Sequence, residues 1–303
     1  MSTVLITGAS GFLGTGLSKA MIAAGHSVVG TTTGASRGPD LLHCDITNPA
    51  QVEAVVRDVA PDIVVHSAAL SSVTVGDTES YYRINVLGTE NLLKATADLQ
   101  DRTRFVMIST AGVYGNHPVE MLTEDLRPLP VHHYGLSKFA AERITHTFAD
   151  ALDFTIIRPF NIIGTGQAAS FIAPKLIQHF GDEARQIRLG NIDVYRDYID
   201  LSSASEVLTQ LAVSPDAVGE TINLCTGKGT SLRELLDAAQ RVAGYEIEVV
   251  AAPEFTRKSE IWRLLGSSDK LVGILGGPVP TQPVQSVLEE MLAAYRARKQ
   301  SAA

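Results

Sequence analysis

The stretch Val4-Leu5-Ile6-Thr7-Gly8-Ala9-Ser10-Gly11-Phe12-Leu13-Gly14 decides the fold of this chain. An apolar run is followed by three glycines at a spacing of three, and an amphipathic helical pattern begins at once. Gly8 permits a tight turn, Gly11 lets the backbone approach phosphates, and Gly14 lets a helix pack on the strand. The start of that helix offers N–H groups and a positive dipole end to an anion. The predicted dinucleotide-binding loop consists of Gly8, Ser10, Gly11, Phe12, Leu13 and Gly14.

The composition is that of a large globular α/β protein. The chain has 303 residues, of which 45% are hydrophobic and 19% charged. This suits one large unit, or a nucleotide-binding domain with a smaller companion. A net charge of −8 argues against binding to nucleic acid through a general basic field. Cys44 and Cys225 lie far apart in the sequence and are predicted to be buried thiols in a reducing compartment.

The sequence carries no recognisable targeting or metal-binding signal. It has no apolar run long enough for a membrane span, and its amino terminus enters a core strand without a basic segment. We therefore predict no membrane contact and a cytoplasmic location. His43, His66 and His117 show no metal-ligand spacing, so no metal is predicted.

Strand-like and helix-like segments alternate over the first half of the chain. Helices are predicted from Leu13 to Ala24, closed by Gly25, and from the start signal Asn48-Pro49. Continuous apolar strands separated by helices indicate a parallel sheet covered on both faces, the doubly wound Rossmann arrangement of an α/β protein. The strands predicted for this sheet are Val4–Ile6, Ser27–Gly30, Ile63–His66, Phe105–Ser109, Phe154–Ile157 and Thr221–Leu224.

The alternation ends after Pro159, where loops, helices and short strands begin to mix. We predict a dinucleotide-binding domain over residues 1–163, to which residues 197–226 return. Residues 164–196 and 227–303 are predicted to form a smaller substrate-binding lobe that is discontinuous in sequence.

Tyr134 and Lys138 lie four residues apart in a helical segment, so both side chains belong to one helical face. Tyrosine is a poor acid or base near neutral pH because its pKa is about 10. A neighbouring ammonium favours the phenolate, so we expect Lys138 to lower the pKa of Tyr134 toward the working range. Tyr134 would then exchange a proton with a carbonyl or alcohol oxygen. An ordinary helix face with a solvated lysine is the alternative.

Thr110 stands directly after a predicted strand. Ligands of open parallel sheets bind at the carboxyl ends of the strands. A hydroxyl there can hold the same substrate oxygen against Tyr134. The alternative is a turn built from the small residues of Ser109–Gly115.

The chain resembles the extended short-chain dehydrogenases/reductases, the superfamily of NAD(P)-dependent nucleotide-sugar epimerases, dehydratases and reductases. The resemblance rests on the glycine motif, the Tyr134/Lys138 pair and further motifs along nearly the full length. These motifs are Asp45-Ile46, His66-Ser67-Ala68-Ala69, Asn85-Val86-Leu87-Gly88-Thr89, Ser109–Gly115 and Arg158-Pro159-Phe160-Asn161.

The resemblance assigns expected roles to individual residues. It implies that Thr110, Tyr134 and Lys138 are catalytic and that Asp45 and Ile46 flank the adenine of the cofactor. It also implies a homodimer paired through the helices around 79–97 and 134–148. The other cofactor contacts that it implies are Ala68, Ala69, Asn85, Tyr134, Lys138 and Pro159.

Three residues are expected to bind the diphosphate of the substrate. Asn161 matches a family position that contacts sugar-nucleotide phosphates, and Arg196 and Arg257 resemble diphosphate arginines. Arginine suits this role because its fork binds phosphate oxygens in pairs. The alternatives are an ion pair of Arg196 with Asp197 or Asp200, and a solvated loop charge at Arg257.

The sequence motifs of the predicted substrate-binding segments most resemble those of the branch that acts on GDP-linked deoxyhexoses. Dehydratases of this family carry an acidic residue just after the catalytic threonine, where this chain has Ala111-Gly112. We therefore expect reduction of a 4-keto nucleotide sugar by hydride transfer, with Tyr134 as proton donor. A nucleotide-sugar 4-epimerase with tightly bound NAD and a non-catalytic NADP sensor are the alternatives.

The end of the second predicted strand bears on the choice of cofactor. Thr31-Thr32-Thr33 lacks the carboxylate that binds an adenosine ribose. An acid would repel a 2′-phosphate, whereas Thr32 would not, and Arg37 is close enough in sequence to contact one. The sequence therefore favours NADP(H) and leaves NAD(H) open. Arg37 as a simple loop residue is the alternative.

Overall fold

The computed structural model describes residues 1–35, 40–71, 77–252 and 260–302. In chain order the strands are β1 (Thr3–Thr7), β2 (Ser27–Thr32), β3 (Leu41–His43), β4 (Ile63–His66), β5 (Arg104–Ile108), β6 (Asp153–Pro159), β7 (Asn161–Ile163), β8 (Gln186–Leu189), β9 (Tyr195–Asp200), β10 (Thr221–Leu224), β11 (Gly229–Ser231), β12 (Glu248–Ala251) and β13 (Arg263–Leu264).

The α-helices are α1 (Phe12–Ala23), α2 (Pro49–Val59), α3 (Thr78–Tyr82), α4 (Gly88–Ala97), α5 (His133–His146), α6 (Ile172–Gly181), α7 (Leu201–Val213), α8 (Leu232–Ala243), α9 (Asp269–Leu275) and α10 (Val284–Ala302). A π-helical turn, Arg83–Leu87, joins α3 to α4, and short 3-10 turns cover Ala111–Val113 and Pro215–Ala217.

The central sheet has seven parallel strands in the order β10-β6-β5-β4-β1-β2-β3. All six strands predicted for this sheet belong to it, including the late strand Thr221–Leu224. The sequence analysis missed β3. This strand is only three residues long and partly exposed at the edge of the sheet, so it lacks the buried apolar run that marks the others.

Helices cover both faces of this sheet. On one face, Leu17 of α1 and Val207 of α7 share a core with Ile6 of β1. On the other face, Val52 of α2 and Leu92 of α4 share a core that includes strand residues of the sheet. The predicted doubly wound parallel sheet is therefore confirmed. Cys44 and Cys225 are both buried, as predicted.

Local signals explain where several helices begin and end. Asn48 caps α2, its side chain accepting a hydrogen bond from the Gln51 N–H at 3.3 Å, and Pro49 occupies the first helical position. Ser231 and Glu234 form a reciprocal capping box at the start of α8, which ends at Gly244 in the left-handed conformation. The start predicted at Asn48-Pro49 is confirmed.

A second group of elements packs beside the carboxyl ends of the central strands. β9 is the middle strand of a small sheet ordered β11-β9-β13, and β7 also pairs with β9. The helices α6, α8 and α10 share a core that contains Phe180, Leu235 and Leu288. A two-stranded ribbon of β8 and β12 completes this region. In the ranges that the structure describes, no helix combines the length and apolar character needed to cross a membrane.

Candidate active site

A cleft of about 1130 Å³ lies where β1, β4, β5 and β6 end, and residues of β9, α6 and α8 also border it. Most of the predicted site residues line this cleft. They are Gly8, Ser10, Gly11, Phe12, Leu13, Gly14, Thr32, Asp45, Ile46, Ala68, Ala69, Thr110, Tyr134, Lys138, Pro159, Asn161 and Arg196. Arg37 and Arg257 lie outside the described residues.

The three glycines between β1 and α1 are required for different reasons. Gly8 has φ +69°, and a Cβ there would lie 2.8 Å from the Cα of Ala68. A Cβ on Gly14 would overlap the Gly8 carbonyl oxygen. A Cβ on Gly11 would meet only that oxygen, at 3.1 Å, and would otherwise project into open space. Packing within the protein therefore explains why positions 8 and 14 are glycine. The absence of a side chain at Gly11 instead leaves room in the cleft for a ligand.

The amino terminus of α1 is suited to binding an anion. The N-cap residue is Gly11, which has no side chain to accept a hydrogen bond from the first N–H groups of the helix. The first N–H groups of a helix have no partner within the helix, and together with the helix dipole they attract a phosphate. The loop and the helix start therefore fit the pyrophosphate of a dinucleotide.

The far end of the cleft offers hydroxyls beside a fixed carboxylate. The Ser10 and Thr32 hydroxyls are hydrogen-bonded at 2.8 Å, and Thr32 Oγ1 also accepts the Gly34 N–H at 3.1 Å. The Asp45 carboxylate accepts the N–H and the hydroxyl of Thr47, at 2.9 and 2.8 Å. The hydrogen bond from the Thr47 backbone lowers the pKa of Asp45, which stays ionised. These groups fit the adenosine part of a dinucleotide.

Thr110, Tyr134 and Lys138 come together at the end of β5. Thr110 Oγ1 accepts the Gly112 N–H at 3.0 Å, and its hydroxyl lies beside the phenol of Tyr134, whose pKa it lowers. Lys138 follows one helical turn later and is 1% exposed. Burial lowers the pKa of Lys138 to about 8, an effect that the Glu142 carboxylate opposes.

The structure corrects the expected lowering of the Tyr134 pKa. Burial raises the pKa of Tyr134 to about 12, and the Thr110 hydroxyl offsets only part of that rise. Desolvation disfavours the charged form of each side chain, so it favours a neutral tyrosine and a neutral lysine. The phenol of Tyr134 is therefore protonated at neutral pH, which suits a proton donor.

His132 was not identified from the sequence as a site residue. Its Nδ1 accepts the Gly135 N–H at 2.9 Å and so caps α5, the helix that carries Tyr134 and Lys138. Its ring stacks on that of Tyr134, with the centroids 6.1 Å apart. Helix-capping preferences point to Ser, Thr, Asp and Asn, so they gave no signal for a histidine cap.

A buried chain of hydrogen bonds runs beneath the part of the cleft that Gly8 and Ala68 line. The Thr89 hydroxyl donates to the Asn85 carbonyl at 2.7 Å, so it accepts from His66 Nε2 at 2.9 Å. His66 Nδ1 must then accept from the Thr7 hydroxyl at 2.8 Å, and Thr7 accepts the Ala68 N–H at 3.2 Å. Only a neutral His66 with its proton on Nε2 satisfies every member of this chain.

Asn85 does not line the cleft as predicted. Its side chain is fully buried, its Oδ1 accepts the Leu70 N–H at 2.8 Å, and its Nδ2 donates to Ser137 Oγ at 3.0 Å. Asn85 therefore ties the segment after β4 to α5, rather than contacting a ligand directly. The sequence motif did not distinguish a residue in the cleft from one that supports its wall.

The other side of the cleft carries polar groups from several elements. Asn161 Nδ2 donates to the Asp197 carbonyl at 3.3 Å. The Asp197 carboxylate accepts hydrogen bonds from Thr226 and Gly227, and Asp200 caps α7, so neither carboxylate is committed to the ion pair considered for Arg196.

Lys175, Asn191 and Glu260 also line the cleft and were not identified from the sequence. The buried Nδ2 of Asn191 has no hydrogen-bond partner among the described residues. A buried unpaired donor is costly, so this position fits a ligand acceptor.

The chain belongs to the NAD dependent epimerase/dehydratase family, which matches residues 4–225. It is 34% identical to GDP-6-deoxy-D-talose 4-dehydrogenase of Aggregatibacter actinomycetemcomitans, over 95% of this chain and 96% of that protein. It is 31% identical to GDP-6-deoxy-D-mannose reductase of Pseudomonas aeruginosa, over 97% of each chain. The expected family membership is confirmed.

Solved structures of similar proteins share the fold. RMD from Pseudomonas aeruginosa, complexed with NADPH, is 28% identical and superposes with a TM-score of 0.85, over 98% of this chain and 100% of that chain. UDP-glucose 4-epimerase from Thermus thermophilus, in complex with NAD, is 25% identical with a TM-score of 0.87, over 97% and 99% of the two chains.

The buried neutral His66 predicts a specific loss of stability in acid. Burial, together with the positive charge of Lys138, lowers the pKa of His66 to about 3. Below a pH of about 6.5 the unfolded chain binds a proton at this residue, whereas the folded chain does not. We expect the free energy of unfolding to fall there by up to about 1.4 kcal/mol per pH unit, a contribution that His66→Gln removes.

Urea unfolding at about pH 7 and about pH 5 measures this difference, because stability follows the proton balance of folding. The exposed His43 gives a matched control, His43→Gln, which should keep the pH dependence of the wild type. Identical pH dependence in the wild type and His66→Gln would contradict the buried neutral assignment.

Proposed function

We propose that this chain is an NAD(P)-dependent oxidoreductase that reduces the 4-keto group of a nucleotide-linked 6-deoxyhexose, with GDP as the favoured nucleotide. The observation that carries the proposal is the meeting of Thr110 with Tyr134 and buried Lys138, which lie one helical turn apart, in one cleft at the carboxyl end of β5. This is the edge of the sheet at which ligands of open α/β folds bind.

The three residues would divide the proton chemistry among them. The glycine loop and the start of α1 would hold the dinucleotide, which supplies a hydride to the carbonyl carbon when bound in reduced form. Thr110 would hold the carbonyl oxygen by a hydrogen bond, and Tyr134 would donate its proton to that oxygen, giving the alcohol. The cation of Lys138 would stabilise the phenolate left on Tyr134.

The second lobe would bind the sugar nucleotide. We assign this role to residues 164–196 and 227–303, with residues 1–163 and 197–226 holding the cofactor. Asn161, Arg196 and Arg257 would contact the diphosphate, and the unpaired Nδ2 of Asn191 would donate to the nucleotide. The names of two relatives over 30% identical, both of which act on GDP-linked 6-deoxyhexoses, support GDP.

Dehydration is disfavoured by the turn that follows Thr110. Ala111 and Gly112 are both buried there and bring no acid into the cleft. Moving protons between sugar carbons needs such a group, whereas reduction at a single carbonyl does not.

A 4-epimerase is the second candidate, supported by similarity to the NAD complex of UDP-glucose 4-epimerase. It would use the same residues but oxidise and re-reduce one sugar with a cofactor that never leaves. Denaturing the purified protein and identifying any released nucleotide separates the two. A reductase releases little nucleotide, and an epimerase releases nearly one NAD per chain.

A non-catalytic NADP sensor and the reductase differ in their need for Tyr134. We expect Tyr134→Phe to lower kcat for reduction by about 100-fold or more, because the hydroxyl proton is lost, with little change in NADPH affinity. Steady-state rate assays with GDP- and dTDP-linked 4-keto sugars measure kcat, and fluorescence titration with NADPH measures cofactor affinity. Unchanged turnover in Tyr134→Phe would refute the catalytic assignment.

NADP(H) is our proposed preference, because Thr32 brings a hydroxyl rather than a carboxylate to the adenosine end. Thr32→Asp should lower the preference for NADPH over NADH by about tenfold or more, since a carboxylate repels the 2′-phosphate. Thr32→Asn, which is similar in size and uncharged, is the control. The ratio of kcat/KM for the two cofactors is the readout, and an unaltered ratio in Thr32→Asp would contradict this account.

We infer a homodimer that pairs through the helices around 79–97 and 134–148. Leu87 is 53% exposed and Leu136 is 40% exposed, although both are apolar and lie on neighbouring segments. Burying them together would be favourable. Light scattering should give twice the chain mass of 32.4 kDa, and Leu87→Glu should halve it. A monomeric wild type would contradict the inference.

We also infer a reducing compartment, as expected for the cytoplasm. Cys44 and Cys225 are buried thiols in separate hydrophobic clusters, so they cannot pair with each other. Cell fractionation tests the location, and recovery outside the cytoplasm would overturn it.

A further inference from the structure

Glu142 is a buried carboxylate with a full set of partners. It lies on α5, one turn beyond Lys138, and is 2% exposed. Arg158 of β6 donates to it twice, from Nε to Oε1 at 3.0 Å and from an amino group to Oε2 at 2.8 Å. Ser109 donates its hydroxyl to the same Oε1. A two-point arginine–carboxylate contact of this kind fixes orientation as well as distance.

The partners of Glu142 stand next to residues of the cleft. Ser109 directly precedes Thr110, and Arg158 directly precedes Pro159. One side chain on α5 is therefore bonded to the ends of both β5 and β6. The distance between Tyr134 on the helix and Thr110 on the strand depends on how α5 sits against these ends.

The network continues to the far side of β6. Another Arg158 nitrogen donates to the Tyr114 hydroxyl at 3.0 Å, and that hydroxyl donates to Asn223 Oδ1 at 2.7 Å. Asn223 Nδ2 donates to the Leu122 carbonyl at 2.9 Å. Arg158 is thereby held in place from both sides, and the donors of its guanidinium that face the network are satisfied.

Stability alone does not account for a buried ion pair. Desolvation of the two charges offsets much of their attraction, and a well-packed apolar pair of similar volume is often equally stable. The position of this pair, between the helix bearing Tyr134 and Lys138 and two strand ends of the cleft, suggests another role.

We propose that Glu142 is a positioning residue for Tyr134 and Lys138, which it holds in register with Thr110 through its bonds to Arg158 and Ser109, and that its charge keeps Lys138 protonated. The proposal rests on the proposed function, because it assigns Glu142 to the same proton-transfer machinery. It adds two residues, Glu142 and Arg158, to which the sequence analysis gave no role.

The charges around Lys138 support the second part of the proposal. Glu142 follows Lys138 by four residues on α5, so both lie on one helical face, and both are buried. The Glu142 carboxylate raises the pKa of Lys138 against the effect of burial. His66 faces Lys138 from β4 and stays neutral, and Tyr134 is a neutral phenol. Arg158, on the other side of Glu142, is held charged by that carboxylate. Among the described residues, Glu142 is therefore the negative charge that the structure records acting on Lys138.

The test replaces the whole pair, so that no unpaired charge stays buried. The variant is Glu142→Leu with Arg158→Met, and its matched control is Glu220→Leu with Lys270→Met. The control removes an ion pair of 2.8 Å that bridges α9 to the start of β10 and does not border the cleft. Urea unfolding reports stability, and NADPH fluorescence reports cofactor affinity.

We expect the double variant to fold and bind NADPH, with kcat for reduction at least about tenfold lower. In the direction of alcohol oxidation, Tyr134 must lose its proton. Without the charge of Glu142 the pKa of Lys138 falls, a neutral lysine no longer favours the phenolate, and the rise of kcat/KM with pH should move up by about one pH unit. The Glu220/Lys270 control should match the wild type in every measurement.

Wild-type kcat and an unshifted pH profile in the double variant would overturn the positioning role. If the double variant does not fold, Glu142→Gln keeps the shape and removes the carboxylate charge. Arg158 then stays as an unpaired cation, so an upward shift in the pH profile of at least the same size is expected. If the wild type reduces no 4-keto sugar, the proposed function fails on its own. The ultraviolet titration of Tyr134 in the NADP+ complex, taken as the difference from the corresponding Tyr134→Phe protein, then decides whether Glu142 acts on this pair.

Discussion

Parallel strands all end at one edge of their sheet, and the arrangement of this cleft depends on keeping four of those ends in register. β1, β4, β5 and β6 deliver the glycine loop, Ala68, Thr110 and Pro159 to the same edge. Apolar packing sets the layers but is tolerant of small shifts. The backbone ladders of the sheet fix the register of the strands, and two buried side-chain networks add directional contacts, one through His66 and the other through Glu142 and Arg158.

Burial governs the electrostatics of the pair on α5. It raises the pKa of Tyr134 to about 12 and lowers that of Lys138 to about 8. The tyrosine therefore keeps its proton to a higher pH than the lysine does. A tyrosine that holds its proton suits reduction, in which that proton must be given away. The reverse reaction needs the phenolate, and the positive charge of an oxidised nicotinamide would favour it when that cofactor is bound. One site can thus serve both directions with the same three residues.

Much of the fold was predictable because its signals are local in sequence. The glycine turn, the Asn48-Pro49 helix start and the apolar strands each depend on a few adjacent residues, and each was predicted. β3 was not, because a short edge strand is barely buried. The pKa of Tyr134 was also wrongly predicted, since the neighbour Lys138 is visible in the sequence and the depth of burial is not.

The supporting shell of the site could not be found in the same way. Glu142 and Arg158 belong to different elements, and His66 meets Thr7 and Thr89 only after the sheet has formed. Asn85 carries a family motif, yet its motif alone did not distinguish support of the wall from contact with a ligand. Arg37 and Arg257, predicted to bind phosphate groups, lie outside the described residues and stay predictions.

The most direct test of this account is to follow the hydride. Two forms of NADPH are prepared, each with one deuterium at C4 of the nicotinamide, on one face of the ring or on the other. Each form is supplied with a GDP-linked 4-keto-6-deoxyhexose, and the product is examined by mass spectrometry and NMR. The account predicts one deuterium at C4 of the sugar from one of the two labelled forms, with one NADP+ formed per product. Product without deuterium from either form, or interconversion of 4-hydroxyl epimers with no NADPH consumed, would contradict it.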